Sequence, residues 1–356
     1  MEKTIFIESH NIKNRETGLG TFNYELIKGL SELNFDNFKI ILNTVNQKLL
    51  QEEFGEKFDY HKYNNLSRHW AFRTRKKHDL WHSVNQNTKI EPFRYNNYLL
   101  TVHDVNFTEE VSSNMNHKVN KLFRKKLEKS TAITYISEFA KQQTHSYFNV
   151  PNVPEYVIHN GNPISKILNT DLYKANVPTN KPFFYCIGDF IERKNYGSII
   201  NMMRLMTNFN LIISGNHNKK YGDEIKDLII KKGLQNQVFL TGKVTEQGKQ
   251  FFMKNCTAFL FPSIREGFGL PPIEAMSFGK PVFLSNKTSL PEIGGDSSYY
   301  WTDFDPEYMQ ITVTDGLNHF YNNQQENEVL VKKRASGFDW KIAASQYFDI
   351  YQKILI

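Results

Sequence analysis

Short apolar runs alternate with segments of helical periodicity along this chain, and the alternation stops once and then restarts. The first series runs from KTIFIES to EYVIHNG, and the second begins at FFYCIGD, residues 183–189. Such alternation is typical of parallel sheets, whose strands are joined by crossover helices. The pattern therefore predicts an α/β fold with two Rossmann-like, doubly wound domains.

A polar stretch between the two series, Pro163–Pro182, predicts a linker near the domain junction. We place the N-terminal domain at residues 1–165 and the C-terminal domain at residues 166–335. The last segment, residues 336–356, has apolar residues at helical spacing, and we expect this helix to cross back to the N-terminal domain. Because open α/β sheets bind ligands beyond the carboxyl ends of their strands, the two domains are expected to face an interdomain cleft.

Length and composition are those of a soluble globular protein with about two domains. The chain has 356 residues, of which 40% are hydrophobic and 23% are charged. No apolar run approaches the roughly 20 residues that span a bilayer, and MEKTIFIES does not look like a signal peptide. Cys186 and Cys256 lie inside predicted buried strands and have no metal-ligand spacing. We therefore expect a cytoplasmic protein with reduced, buried cysteines.

The net charge of +7 is concentrated in two segments of the first half, RHWAFRTRKKH (residues 68–78) and HKVNKLFRKKLEK (residues 117–129). Both segments mix cations with aromatic and aliphatic residues, which suits an anionic membrane surface. A nucleic-acid partner and a solvated basic face without any partner are the alternatives. The cations that define this basic surface are Arg68, Arg73, Arg75, Lys76, Lys77, Lys118, Lys121, Arg124, Lys125 and Lys126.

The segment REGFGLPPIEA, Arg265–Ala275, reads as a glycine loop and a short helix between two buried strands. Glu266 falls in the loop and Glu274 in the first turn of the helix. Carboxylates accept hydrogen bonds from hydroxyls, and a helix start with its free N–H groups suits a phosphate. A phosphate held beside hydroxyls indicates a sugar nucleotide. The alternative is that Glu274 only complements the helix dipole and Glu266 is a solvated loop residue.

Neither half of the chain carries a GxGxxG motif with a ribose-binding acid, or the GxxxxGK[ST] motif of a P-loop. These absences weigh against a dehydrogenase and against a P-loop NTPase. No cluster of His, Asp or Glu has the spacing of metal ligands, so we expect no metal site.

Several motifs occur together in one order along nearly the whole chain. EGFGLPPIEA has the form E-x7-E, and GDFIERKN, TSLPEIGGDSSYYWTDFDPE, HNGNP and the closing FDWKIAASQYFDIYQKIL accompany it. The first half adds TGLGTFNYEL, LLTVHDVNF and AITYISEFAKQQ. In these motifs the chain resembles the retaining glycosyltransferases of family GT4, which have the GT-B fold.

The resemblance implies roles for individual residues. Arg193 and Lys194 match the basic pair that holds the donor diphosphate, Glu266 matches a carboxylate that contacts the donor sugar, and His103 resembles a histidine that lines the sugar site. Glu274 matches the carboxylate that binds the ribose hydroxyls. The other residues expected at the donor are Gly18, Gly20, Gly188, Asn195, Gly215, Phe268, Gly269 and Leu270. SGNHNKK departs from the glycine-rich loop common in the family, so Asn216 and His217 are expected to affect donor identity.

The function implied by the resemblance is transfer of a mannose-type or glucose-type hexose in polysaccharide biosynthesis. The donor would be GDP- or UDP-linked, and the acceptor a glycan or a lipid-linked saccharide. No cofactor is expected, and the donor's own phosphate oxygen would take the acceptor proton on the face from which the nucleotide leaves. The enzyme would lie in the cytoplasm, peripheral on the inner face of the membrane, without a nucleic-acid partner. The alternatives are a nucleotide-sugar epimerase or hydrolase of the same fold, an inactive sugar-nucleotide binder and a basic nucleic-acid-binding protein.

Overall fold

The computed structural model describes residues 2–356, which form two compact α/β units. The first unit extends to Pro163 and includes Asp339–Ile356, and the second unit is Ile164–Phe338. The strands are β1 Lys3–Glu8, β2 Phe38–Thr44, β3 Asp59–Lys62, β4 Leu80–Ser83, β5 Asn97–Val102, β6 Ala132–Tyr135, β7 Glu155–Val157, β8 Phe183–Ile187, β9 Asn210–Ser214, β10 Val238–Gly242, β11 Ala258–Phe261, β12 Val282–Ser285 and β13 Tyr299–Trp301. The helices are α1 Gly18–Ser31, α2 Gln47–Phe54, α3 Phe107–Glu110, α4 Lys118–Lys129, α5 Glu138–Tyr147, α6 Tyr196–Met203, α7 Lys220–Lys231, α8 Glu246–Asn255, α9 Leu270–Ser277, α10 Leu290–Gly294, α11 Pro306–Asn322, α12 Gln324–Ser336 and α13 Trp340–Leu355.

The first unit is built on a parallel seven-stranded sheet in the order β3-β2-β1-β4-β5-β6-β7. Consecutive residues of β1, among them Ile5, Phe6 and Ile7, are fully buried, as expected of a strand covered on both faces. The strand order reverses direction between β1 and β4. That reversal makes the carboxyl ends of β1 and β4 the switch point of this sheet.

The C-terminal helix α13 is part of the first unit. A Cβ atom placed on Gly29 of α1 would lie 2.6 Å from the Cβ atom of Ala344, so the two helices touch backbone against side chain. Tyr351 of α13 also joins the sheet, because its hydroxyl lies 2.7 Å from Nδ1 of the buried His82 of β4. The helix is therefore held by both apolar packing and a buried polar contact.

The second unit is built on a parallel six-stranded sheet in the order β10-β9-β8-β11-β12-β13. Its switch point lies between β8 and β11, where the order reverses. The side chains of Phe184, Tyr185 and Cys186 in β8 are fully buried. Both cysteines are free and buried, although Cys256 follows α8 rather than lying in a strand.

The polar stretch Pro163–Pro182 is packed structure rather than a free linker. The backbone N–H of Leu168 donates to Oε1 of Gln250 at 2.8 Å, and Nε2 of Gln250 donates to the carbonyl of Lys166 at 3.1 Å. The ring of Tyr173 packs on Phe251 at 5.1 Å between centroids. The prediction of a linker was wrong for this part because polar composition alone does not reveal that a buried glutamine of α8 satisfies its backbone.

The basic segments of the first unit are only partly exposed. In α4, Phe123 and Leu127 belong to the core, and Lys126 is only 1% exposed, so the prediction that this lysine faces a membrane was wrong. In the other segment, Trp70 and Phe72 are 70% and 58% exposed. Within residues 2–356, no helix combines the length and the apolar character that crossing a membrane requires.

Candidate active site

Two loops meet at the switch point of the second unit. The loop after β8 contains a 3-10 turn, Glu192–Lys194, which carries Arg193 and Lys194 and leads directly into α6. The loop after β11 carries Glu266 and leads into α9. Because β8 and β11 are neighbouring parallel strands, their carboxyl ends lie side by side, and the two loops contact each other.

Arg193, Lys194 and Glu266 form one ionic cluster. Nη1 of Arg193 lies 3.0 Å from Oε2 of Glu266, and Nζ of Lys194 lies 2.5 Å from Oε1. Ser263 donates to the same Oε1 at 2.5 Å, and Arg193 also donates to the carbonyl of Arg265 at 2.6 Å. The structure thus brings Glu266 together with two neighbouring residues that lie more than seventy positions before it in the sequence.

The electrostatics of this cluster favour a charged carboxylate and an incoming anion. Burial by itself would raise the pKa of Glu266, but Lys194 and Arg193 outweigh burial and hold the pKa below its usual value. Two cations and one carboxylate leave the cluster with one excess positive charge. The ammonium of Lys194 also lies 4.6 Å from the centre of the Phe261 ring, which shields it from water. Within residues 2–356, no group of three or more His, Cys, Asp or Glu side chains is arranged to hold a metal ion.

The loop that carries Glu266 is fixed by the segment after β12. The N–H of Glu266 donates to Oγ1 of Thr288 at 3.1 Å. Ser289 donates to the carbonyls of Glu266 at 3.0 Å and Phe268 at 2.5 Å. Gly269 closes the loop with φ of 134°, a conformation that favours glycine. These contacts preorganise the Glu266 carboxylate.

Glu274 lies on α9 just after its first turn and is only 6% exposed. Its Oε1 lies 2.9 Å from Nζ of Lys249 on α8. The start of α9 offers fewer free N–H groups than the sequence predicted. Pro271 and Pro272 follow Leu270 at its first positions, and proline has no N–H. The charge that attracts an anion here therefore comes mainly from the basic side chains.

The predicted donor glycines of this unit mark a close backbone approach. A Cβ atom on Gly215, after β9, would lie 1.9 Å from the carbonyl oxygen of Gly188, after β8. Only glycine allows that contact at φ of 145°. Asn195 adopts the left-handed conformation at φ of 52° and donates through Nδ2 to the carbonyl of Pro262 at 3.4 Å. It thereby ties the loops after β8 and β11 together.

His103 follows β5 in the first unit. Its Nε2 lies 2.8 Å from the carbonyl of Val84, and its backbone N–H donates to Oε1 of Gln86 at 3.2 Å. Burial lowers the pKa of His103 to about 4, even though the hydrogen bond to Val84 acts in the opposite direction. At neutral pH the ring is therefore uncharged, with its hydrogen on Nε2 and an acceptor at Nδ1.

Gly18 and Gly20 lie in the first turn of α1 rather than in a loop before it. Thr17 is the N-cap of α1, and its hydroxyl accepts from the N–H of Gly20 at 3.2 Å. A Cβ atom on Gly20 would lie 1.9 Å from the carbonyl oxygen of Asn14, so the preceding chain folds directly against the helix start. The capping Thr17 begins the helix at the glycines.

Three supporting residues escaped sequence reasoning. Ser263 and Ser289 bind Glu266 and its loop, and Lys249 binds Glu274. Ser263 follows a predicted strand, which is the signal that could have pointed to it. Lys249 has no such signal, because a lysine on an amphipathic helix usually faces water.

The sequence matches a known family and several characterised proteins. Residues 169–334 match the family model of glycosyl transferases group 1. The O-antigen chain mannosyltransferase B of Escherichia coli is 24% identical over 307 residues, which are 80% of this chain and 76% of that protein. The serotype-specific mannosyltransferase WbdA of Escherichia coli is 25% identical over 244 residues, which are 64% of this chain but 29% of that longer protein.

Solved structures show the same fold at low sequence identity. A glycosyltransferase from Rickettsia africae superposes with a TM-score of 0.72 at 15% identity, covering 99% of both chains. HepE of Anabaena, solved in complex with UDP-glucose, gives a TM-score of 0.71 at 15% identity, covering 99% of this chain and 100% of that one. Two Rossmann-like parallel-sheet units with these neighbours are the GT-B fold. The matched residues 169–334 lie within the second unit, and together with these relatives they identify the chain as a glycosyltransferase of the group 1 type.

Proposed function

We propose that this glycosyltransferase moves a mannose-type hexose, with retention of configuration, from a GDP- or UDP-linked donor to a glycan or lipid-linked saccharide. The observation that carries the proposal is the ionic cluster of Arg193, Lys194 and Glu266 at the switch point of the second sheet. Its excess positive charge suits a diphosphate. Two of the relatives are O-antigen chain mannosyltransferases by name, which favours mannose over glucose.

In the proposed reaction, the bond between the anomeric carbon and the diphosphate oxygen breaks, and negative charge collects on the departing diphosphate. Arg193 and Lys194 would stabilise that charge, the guanidinium with a planar fork and the ammonium as a point charge. The acceptor oxygen bonds to the anomeric carbon on the same face. Its proton passes to a phosphate oxygen of the leaving group, so no protein base is needed.

The carboxylate of Glu266 would orient the sugar. The depressed pKa of Glu266 keeps it ionised, so it accepts hydrogen bonds from sugar hydroxyls rather than donating to them. A phosphate that binds Arg193 and Lys194 would take over contacts that the carboxylate makes in the free enzyme. For His103 we propose a similar role, in which its Nδ1 accepts a hydrogen bond from a hydroxyl of the sugar. Glu274 would accept from the ribose hydroxyls.

Gly18, Gly20, Gly188 and Gly215 would let backbone approach the donor, with Asn195 and the Phe268–Leu270 segment shaping the same region. Neither Gly20 nor Gly215 admits a side chain, because backbone oxygens of Asn14 and Gly188 already lie against them. No cofactor and no metal take part in the proposed reaction.

The acceptor would be met at a membrane surface, through the exposed part of the first basic segment. Trp70 and Phe72 project from a 3-10 turn, and Arg75, Lys76 and Lys77 follow it on the same short stretch. Exposed aromatic rings beside several cations suit an anionic bilayer, where each cation contributes about 1 kcal/mol. On this proposal the enzyme is peripheral on the inner face of the membrane.

A donor panel tests the proposed function. Melting temperatures would be measured with GDP-mannose, UDP-glucose, dTDP-glucose and ADP-glucose, since a ligand of the folded state raises its stability. The stabilising donor would then be incubated with candidate acceptors, and the anomeric configuration of the product read by NMR. Stabilisation by GDP-mannose or a UDP-sugar and an α-linked product from an α-linked donor are expected. Turnover of the donor without any acceptor would instead indicate a hydrolase or epimerase.

A further inference from the structure

Lys249 forms ion pairs with two carboxylates, of which Glu274 is buried and Glu246 is half exposed. Nζ of Lys249 lies 2.9 Å from Oε1 of Glu274 and 2.9 Å from Oε2 of Glu246. The remaining oxygen of Glu246, Oε1, accepts from Nε2 of Gln250 at 2.9 Å. One ammonium therefore bridges α8 to the carboxylate of α9.

The bridge is held by charge. Burial would lower the pKa of Lys249, but Glu274 and Glu246 outweigh burial and raise it above its usual value. Lys249 therefore stays protonated across the range in which the protein is handled. The flexible side chain of Lys249 is held by its two ion pairs. The Glu274 oxygen that it binds is immobilised as a result.

The two oxygens of Glu274 differ in their surroundings. Oε1 is bound by Lys249, whereas Oε2 accepts no hydrogen bond from the residues that the structure describes. A nearly buried carboxylate with one fixed oxygen and one unused oxygen is preorganised to accept hydrogen bonds from a ligand. Without Lys249, the carboxylate could rotate and would lose its neutralising charge.

We propose that Lys249 is a positioning residue for donor recognition, which turns Glu274 toward the ribose hydroxyls of the nucleotide. The proposal rests on the role given to Glu274 in the proposed function and adds the residue that makes that role possible. Lys249 itself need not touch the donor, because its contacts are already made to Glu274 and Glu246.

Affinity for ribose-modified nucleotides separates positioning from a general structural role. Binding of GDP and UDP, and of their 2′-deoxy and 3′-deoxy forms, would be measured by titration calorimetry on wild type, Lys249→Met, Lys249→Arg and Glu274→Gln. Lys254→Met is the matched control, since Lys254 lies on the same helix and is half exposed. Melting temperatures of all variants would show that each one is folded.

The wild type should bind the better nucleotide about 10-fold or more tightly than its deoxy forms, as expected for hydrogen bonds to a charged acceptor. In Lys249→Met the ribonucleotide should weaken by a similar factor while the deoxy forms change little, so the discrimination disappears. Lys249→Arg should recover part of it. In the Glu274→Gln background, Lys249→Met should have almost no further effect, because both changes remove the same interaction.

Three distinguishable results would contradict the proposal or the function on which it rests. If Lys249→Met weakened ribose and deoxyribose nucleotides equally, Lys249 would act on phosphate, base or fold, and the positioning role would be wrong. If the wild type itself failed to discriminate while binding nucleotide, Glu274 would not read the ribose. If no nucleotide bound to a folded wild type, the proposed function would fail first.

Discussion

Each unit of the protein contains a pair of basic residues around a single carboxylate, and the two clusters differ in what surrounds them. In the second unit, Arg193 and Lys194 hold Glu266 on loops at the switch point, and the Arg193 side chain stays 26% exposed. In the first unit, Lys126 and Lys129 of α4 hold Glu91, which is 3% exposed. The same residue types thus form an accessible cluster in one unit and a closed cluster in the other.

The closed cluster has its hydrogen bonds satisfied from within. Nζ of Lys126 donates to Oγ of Ser83 at 3.1 Å and to the carbonyl of Asn85 at 3.0 Å, and it lies 3.3 Å from Oε1 of Glu91. The hydroxyl of Tyr98 donates to the same carboxylate oxygen at 3.0 Å. A cation with all its donors used on protein groups stabilises the fold, whereas a cation on an open loop can exchange its partner for a ligand.

The largest effect should come from the open cluster. Lys194→Ala and Arg193→Ala should each lower turnover by about 100-fold or more, because each removes charge stabilisation from the leaving diphosphate. The measurement is kcat with the identified donor, and melting temperatures should change little. Lys220→Ala, an exposed lysine of the same unit, is the control. Near-normal turnover in both variants would show that this cluster does not bind the diphosphate.

Substitution in the closed cluster should lower the stability of the protein. Lys126→Met should lower the free energy of unfolding by about 2 kcal/mol, because Glu91, Ser83 and Asn85 lose the donor that Lys126 supplies. Lys125→Met, at the neighbouring exposed position of α4, should have little effect. Urea unfolding at neutral pH measures both. Equal effects of the two substitutions would mean that the buried contacts of Lys126 contribute nothing net.

Substitutions in the exposed part of the basic surface should weaken membrane binding. Wild-type protein should sediment with phosphatidylglycerol vesicles at low salt and be released at high salt. The reason is that salt shortens the Debye length and so screens the attraction between the cations and the lipid headgroups. Trp70→Ser with Phe72→Ser, or charge reversal at Arg75, Lys76 and Lys77, should each weaken binding by about 10-fold. Leu172→Ser, an exposed apolar position of the second unit, should not. If the protein bound neither phosphatidylglycerol nor phosphatidylcholine vesicles, these residues would form a solvated basic face without a membrane partner.

The two clusters should change stability in the same direction with pH but in different pH ranges. Burial lowers the pKa of Lys126 to about 7, so the unfolded chain binds more protons than the folded one above that pH. The stability difference between wild type and Lys126→Met should then grow from pH 7 toward 10, by at most about 1.4 kcal/mol per pH unit.

For Glu266 the pKa is lowered, so its stabilising contribution is present above the unfolded value and is lost as the pH falls through the folded one. The difference between wild type and Glu266→Gln should shrink below about pH 4.5. Denaturant unfolding of wild type, Lys126→Met and Glu266→Gln at several pH values measures the sign of each pH dependence. Parallel pH profiles for wild type and either variant would contradict the corresponding assignment.

The smallest effect is expected from removal of metals. Activity should stay within about two-fold after treatment with excess EDTA, because Arg193 and Lys194 supply the charge that a metal would otherwise supply. The readout is turnover before and after chelation, followed by readdition of Mg²⁺ or Mn²⁺. A strict requirement for either ion would mean that the open cluster alone cannot neutralise the leaving group.

Local patterns determined much of this protein. The alternation of apolar runs and helical segments predicted two doubly wound sheets, and strands such as β1, β2 and β8 lie where those runs lie. Glu266 was found because it follows a strand, where ligand-binding residues of parallel sheets lie, whereas Arg193 and Lys194 were found from the resemblance of GDFIERKN to a motif of family GT4. A polar edge strand such as β3, DYHK, has no apolar run and was missed.

Which cations are open and which are closed was decided only by the tertiary structure. Lys125 and Lys126 are neighbours in one basic run, yet one faces water and the other lies inside the fold, because successive residues of a helix point about 100° apart. The partner of Lys126 comes from a loop 35 residues away, and the partner of Glu274 comes from another helix. Burial and long-range pairing are properties of packed elements, so residue type and local spacing do not specify them.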